Sequence, residues 1–429
     1  MRSSSAHLGS PPQARSAAPR LWLRRLVVIG LLTTGGLAIA LWWEEWPLRR
    51  IERQLLRADY AGALEESQDY LTQFPGRERA QELRARALAG LERWAEAALI
   101  FDRIGAAGPE SQRAWSHCLL HARRWSEALV LLEALHRARP TDGDILHELA
   151  ACHGQLGSFD EAVECAAQLA EFPGQAARGR LLLGTLHNNR GNYRLAVEAW
   201  GPILDLEPEA EHLQVSPDEF FLEYGRALLG EGRAEQARPI LERSLAKRAT
   251  ATAAVALGDA CEDLGDQAQA VVYWKQGLAL EGGNHGARER LARGALERND
   301  PEAALQWLQP IATSPRLASS TAFLFQRAYA LRGDKPQSQH WSDKASQLRA
   351  SEQRKNTIDH GLVRAPQSFW SRAVRAHRFA SEGNAREAAL LVEQLLQEAP
   401  REPFLLELAQ ALQNDTELPS LDLIPMKQF

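Results

Sequence analysis

The chain has 429 residues, 45% of them hydrophobic and 24% charged, with a formal charge of −5. Residues 1–50 carry seven arginines against Glu44 and Glu45, a local surplus of +5, which leaves −10 on the rest. An acidic body argues against nucleic acid as the main ligand, because phosphate-binding domains carry a net basic face.

Alanine, leucine, arginine, glutamate and glutamine dominate while valine and isoleucine are sparse, the composition of a helix former. Cys118, Cys152, Cys165 and Cys261 form no CxxC pair, so they neither require nor exclude an oxidising compartment.

Residues 1–25 read as a basic, Ser/Ala/Pro-rich disordered tail. An uncharged run follows from Leu26 to Trp43, preceded by Arg24-Arg25 and closed by Glu44-Glu45. Its length as a helix is roughly 27 Å, close to the hydrocarbon thickness of a bilayer. Trp22, Trp42, Trp43 and Trp46 mark its two ends, where indole rings settle. The reading is a transmembrane helix over 26–43. Arg-Arg before and Glu-Glu after favour a cytoplasmic N-terminus and an exported body. Ala38-Ile39-Ala40 has the form of a signal-peptidase site, which keeps a cleaved, secreted product as the alternative. Gly36 and Ala40 are spaced as a small-xxx-small pair, a weak cue for helix pairing and the sole one for a homo-oligomer.

Beyond residue 50 the sequence repeats itself. The segment Leu181–Pro208, LLLGTLHNNRGNYRLAVEAWGPILDLEP, has Leu183-Gly184, then Gly191, Tyr193, Ala196, Trp200 and Pro208. The small residue at Ala196 recurs at Ala63, Ala97, Ala128, Ala162, Ala237, Ala270, Ala304, Ser338 and Ala388. Glycines stand five before it at Gly157, Gly191, Gly232, Gly265, Gly333 and Gly383. Prolines stand twelve after it at Pro75, Pro109, Pro140, Pro208 and Pro400. Aromatics three before it are Tyr60, Trp94, Trp125, Phe159 and Tyr193. This pattern resembles the tetratricopeptide repeat, a pair of antiparallel helices recurring every 34 residues.

The spacing has a physical basis. Gly184 and Ala196 lie where two helices approach most closely, Gly191 ends the first helix in a conformation glycine favours, and Pro208 stops the second. The resemblance implies an all-α fold: a right-handed superhelical α-solenoid of about ten hairpins preceded by one transmembrane helix. The array is expected over 51–346, a linker or insertion over 347–366, a last repeat and capping helix over 367–413, and a tail over 414–429. Three departures are expected. They are an insertion at Pro208–Pro217, a lengthened helix and then a loop at Asp359–Pro366, and a first hairpin that has lost most of its leading helix.

No P-loop, GxSxG, HExxH or dinucleotide-binding glycine pattern is present. The expectation is a non-enzyme with no cofactor. His117 and His121, with His147 one repeat on, have an HxxxH spacing. No carboxylate or cysteine is fixed beside them by spacing, so no metal site is expected. His153 and His187 fall at core-lining positions. Cys118 and Cys152 occupy equivalent repeat positions, too far apart for a disulfide.

In the family resembled, the first helices of successive hairpins line a groove that takes extended peptides. Carried over by register, the groove residues are Arg86, Arg113, His117, His147, Leu181, Thr185, Asn188, Arg226, Asp259, Glu262, Glu289 and Arg293. Their mixed charge suits an extended polypeptide. The clamp that chaperone-binding relatives use for a terminal carboxylate is missing, since Leu181, Thr185, Leu222, Thr252 and Val255 stand there. The resemblance therefore implies a membrane-anchored protein-binding scaffold of the cell envelope, in secretion, assembly or polymer export. The alternative is a cytoplasmic-facing factor resembling lipopolysaccharide-assembly repeat proteins, whose zinc-binding CxxC pairs are absent here.

Overall fold

A computed structural model describes residues 46–425. The transmembrane segment expected at 26–43 and the tail at 1–25 lie outside the described residues. Among the described residues no helix is long and apolar enough to cross a membrane, and every regular element is helical. The chain divides into two compact units, one ending at Cys118 and the other beginning at Leu119.

The first unit opens with α1 (46–56), α2 (Tyr60–Gln73), α3 (Glu78–Gly90) and α4 (Trp94–Ile104), and α5 (Pro109–His121) crosses into the second. The leading helix thought largely lost is present from residue 46. Leu48, Ile51 and Leu55, spaced three and four apart, put one apolar face of α1 into the core.

The second unit continues in pairs. They are α6 (Trp125–Ala138), then α7 (Gly143–Leu156) with α8 (Phe159–Glu171), and α9 (Ala176–Asn189) with α10 (Tyr193–Trp200) and the short α11 (Ile203–Leu206). Next come α12 (Pro217–Gly230) with α13 (Ala234–Lys247), α14 (Ala251–Asp263) with α15 (Gln267–Leu280), and α16 (His285–Glu297) with α17 (Pro301–Leu308). The chain closes with α18 (Ser319–Arg332) and α19 (Lys335–Arg364), α20 (Phe369–Ser381) and α21 (Ala385–Glu398), and α22 (Pro403–Asn414).

The pairing follows from side-chain volume. Ala196 and Ala270 are fully buried between their helices. A Cβ on Gly184 would overlap the Trp200 indole, and one on Gly258 would overlap Trp274. Each glycine therefore makes the seat for a tryptophan one helix away. Trp200 donates from Nε1 to the Leu181 carbonyl at 3.1 Å and meets Phe220 and Tyr224 of the next hairpin edge-on. In the ninth pair Ser338 takes the small position, and Phe325 stacks on Trp341 at 4.0 Å.

Every pair turns through a residue of positive φ, five positions before the small anchor. Six are the glycines, Gly157 to Gly383, at φ between 71° and 83°. The other four are Ala58, Glu92, Arg123 and Asn299 at 55–59°, where a Cβ costs energy.

Two departures from expectation have local causes. Residues 347–364, expected as linker ending in a loop from Asp359, continue α19 as helix. Ile358 and Gly361 are buried and Ser371 of α20 donates to the Gly361 carbonyl at 3.3 Å, so packing extends the helix. It stops at Arg364 because Pro366 disfavours helical geometry at residue 365. At the insertion, Pro202 splits the second helix into α10 and α11. The loop after it is held by Arg243 on the Pro208 carbonyl and by Lys247 on Glu209 at 2.9 Å.

The second unit returns on itself. The start of α21 meets the start of α6, seven pairs earlier. Asn384 Nδ2 donates to the Arg123 carbonyl at 2.6 Å, and the Ser126 amide donates to Glu387 Oε1 at 3.0 Å. Glu387 is 1% exposed, and its carboxylate faces one of the amides that a helix N-terminus leaves unpaired. Arg386 reaches Glu127 at 2.9 Å, Gln367 reaches Ser158 at 3.3 Å, and Arg375 reaches the Leu156 carbonyl. Seven small rotations from pair to pair thus sum to one full turn.

Candidate functional site

The predicted groove positions divide between the units. In the first, Arg86 on α3 is half-buried and lines a cavity of about 230 Å³ with Glu52, Arg79 and Glu82. Glu82 accepts from the Ala107 amide at 3.1 Å, so that carboxylate ties the α4–α5 loop to α3. Arg113 and His117 on α5 are half-buried, and His117 stands edge-on to Trp94 with ring centres 6.4 Å apart.

In the second unit the residues fall on α7, α9, α12, α14 and α16, the first helices of successive pairs. His147 is half-buried, and burial, helped by the Arg178 charge, lowers its pKa. Arg178 also bonds Asp144 at 2.5 Å, joining α9 to α7. Thr185 is exposed, with its hydroxyl donating back to the Leu181 carbonyl at 2.8 Å. Leu181 itself is 8% exposed and belongs to the core, so it is withdrawn from the groove.

Polar bonds step from one first helix to the next. Asn188 on α9 donates to Glu223 on α12 at 3.3 Å, and Glu223 accepts from Arg226 at 3.1 Å. Asp259 on α14 is gripped by Arg290 of α16 through both carboxylate oxygens, with Nη2 to Oδ2 at 2.5 Å. It also accepts from Trp274 Nε1 at 3.1 Å. Glu289 on α16 accepts from Thr321 on α18. Asp259 and Glu289 are thus engaged within the fold, whereas Arg226 and Arg293 stay exposed. Burial raises the Glu262 pKa against the opposing pull of Arg293.

The structure brings Arg226 and Asp259 together around a cavity of about 300 Å³ lined also by Thr252, Val255, Asn284 and Arg290. Sequence register missed Glu223 and Arg290. Both stand two residues before the small position of the first helix (Gly225 and Ala292), from which a side chain reaches back to the preceding repeat. A carboxylate and a guanidinium at that offset were the available signal.

Among the described residues no group of three or more His, Cys, Asp or Glu side chains is placed to hold a metal ion. The four cysteines are free. Burial pushes the thiols of Cys118 and Cys152 up to about 12 and that of Cys165 to about 11. His187 packs edge-on against Phe159 with ring centres 5.6 Å apart.

A family model of the tetratricopeptide repeat matches residues 119–186. The helix pairs on either side of that match keep the same phase of small anchor and positive-φ turn. Among solved structures, the chain is similar to the C-terminal part of a TPR repeat-containing protein from Cytophaga hutchinsonii, at 18% identity and a TM-score of 0.44. That match covers 56% of this chain and 97% of the other. A tetratricopeptide repeat protein from Parabacteroides merdae matches at 14% identity and TM-score 0.39, over 57% and 96%. The protein MamA matches at 17% and 0.34, over 42% and 95%. No curated protein matches the sequence.

Proposed function

We propose that the chain is a membrane-tethered scaffold whose run of first helices in the second unit binds an extended segment of another protein. The observation that carries this reading is the row formed by Thr185, Asn188, Arg226, Glu262 and Arg293. These side chains are exposed or half-buried, fall on the first helices α9, α12, α14 and α16, and pass from neutral at Thr185 and Asn188 to basic, acidic and basic at Arg226, Glu262 and Arg293. An extended polypeptide presents backbone groups and alternating side chains at such a surface. The tether is the apolar run at 26–43, and its flanking charges support a cytoplasmic N-terminus with the repeats exported to act at the cell envelope.

The test pairs capture with topology. Full-length protein is cross-linked in its native membrane, alone and as Arg226→Glu with Arg293→Glu. The reading expects a saturable adduct that the double variant loses by tenfold or more and that Arg233→Glu, on a turn, leaves in place. An adduct indifferent to the double variant overturns the groove. Protease added to cells with a permeabilised outer barrier should cut the repeats, and a protected body overturns export.

A further inference from the structure

A second cavity, of about 500 Å³, lies where the last hairpin returns to the earlier ones inside the second unit. One wall comes from α7 to α9 and carries Phe159 and Arg190. The other comes from the end of α19 and from α20 and carries Arg375, Arg378 and Phe379. The size is that of small-molecule pockets, and the mixture of apolar walls with a few converging polar groups is theirs too.

Its charge is out of balance. Arg375 donates to two carbonyl oxygens, those of Leu156 and Pro366, and has no carboxylate partner among the described residues. Arg190 donates to the Val363 carbonyl and lies 4.1 Å over the Phe159 ring, again without a carboxylate. Arg378 is held by Asp359. Glu382, the one acid lining the cavity, is paired with Arg123 at 3.2 Å. Burial, with a smaller push from Arg372, lowers the Arg375 pKa to about 10. A desolvated cation without a counter-charge is costly, and an anion entering this space supplies one.

We propose that the cavity binds a small organic anion, a carboxylate or phosphate group on an apolar body. The headgroup meets Arg190 and Arg375, and the body lies against Phe159 and Phe379. Thr185 is the one groove position that also lines this cavity; Arg190 and Arg375 are not groove positions, so their substitution tests this proposal apart from the protein-binding reading. A ligand there bridges hairpins five to six repeats apart, which couples its binding to closure of the turn.

Calorimetric titration of the full-length protein tests this with phenyl phosphate and benzoate as probes. Inorganic phosphate supplies the charge without the body, and benzyl alcohol the body without the charge. Saturable binding of phenyl phosphate or benzoate, at least tenfold tighter than either control, is the expected result. Arg375→Gln should weaken it tenfold or more. Arg190→Gln should give a second loss, with Arg233→Gln as an unaffected reference. Since Arg375 and Arg190 each also make a contact across the closure, small-angle scattering of both variants must show the wild-type dimensions for the loss to count as lost ligand contact. The same probe should raise the thermal midpoint of the wild type and not that of Arg190→Gln. Absence of saturable binding by both probes at millimolar concentration overturns the proposal. Binding that Arg190→Gln and Arg375→Gln leave unchanged overturns it equally.

Discussion

Gly157 leaves the space into which Arg375 reaches. A Cβ on Gly157 would overlap the Arg375 guanidinium, which donates to the neighbouring Leu156 carbonyl. Gly157 is also the turn residue of its own hairpin, at φ 77°. One glycine therefore serves a local turn and a contact from the other end of the second unit.

That double duty separates closure from hairpin formation. Gly191 makes the same turn at φ 71° with nothing within 4 Å of an added Cβ. Gly191→Ala should cost about 1–2 kcal/mol, the penalty of a left-handed alanine. Gly157→Ala should cost that amount and about 1–3 kcal/mol more for displacing Arg375. Urea denaturation of both variants checks the difference, and small-angle scattering should show expansion in Gly157→Ala alone. Equal costs would mean that the closed turn is not populated in solution.

The four turns made without glycine give a prediction of opposite sign. Glu92 is exposed and adopts φ 59°. Glu92→Gly removes a strain of about 1–2 kcal/mol and restores about 0.5–1 kcal/mol of backbone freedom to the unfolded chain. The net effect should be a gain of roughly 0.5–1 kcal/mol, read as a higher denaturation midpoint with an unchanged m-value. A loss would show that the second hairpin turns differently.

The buried thiols set an alkaline limit. Cys118 and Cys152 are pushed up to about 12 by burial, from an ordinary value near 9. Below about pH 7.5 the thiol is protonated in both folded and unfolded chains and favours neither. As pH rises above that, the unfolded chain ionises while the folded chain does not, so stability falls between about pH 9 and 12. Cys152→Ala should flatten part of that slope. Thiol reagents at pH 8 should label neither Cys118 nor Cys152 until denaturant is added. Fast labelling of the native protein would contradict their burial.

Much of this fold was legible because its rules are local. Ala196, Gly184 and Trp200 lie within nineteen residues of Leu181 and specify one another through volume: a small residue where two helices touch, and an indole over the gap. The full triad recurs only at Gly258, Ala270 and Trp274, and it is the small anchor with a turn residue five positions before it that marks each hairpin. The left-handed turns at Ala58, Glu92, Arg123 and Asn299 were hidden because reading them required the phase rather than the residue type. The groove positions were placed on their helices by the same register, but which of them are occupied was not. Asp259 looks like a groove acid until Arg290, 31 residues on, is brought to it.

By itself, then, the sequence determined the helix pair, its period and the small and aromatic residues that lock it, and it contains the apolar run at 26–43. Tertiary structure decided what depends on summed geometry. The rotation from one hairpin to the next is small, and no residue pattern states its total. Over seven hairpins it carries Asn384 and Glu387 to the start of α6, and over six it carries Arg375 to Gly157. The same sum encloses a cavity whose arginines lie far apart in the chain.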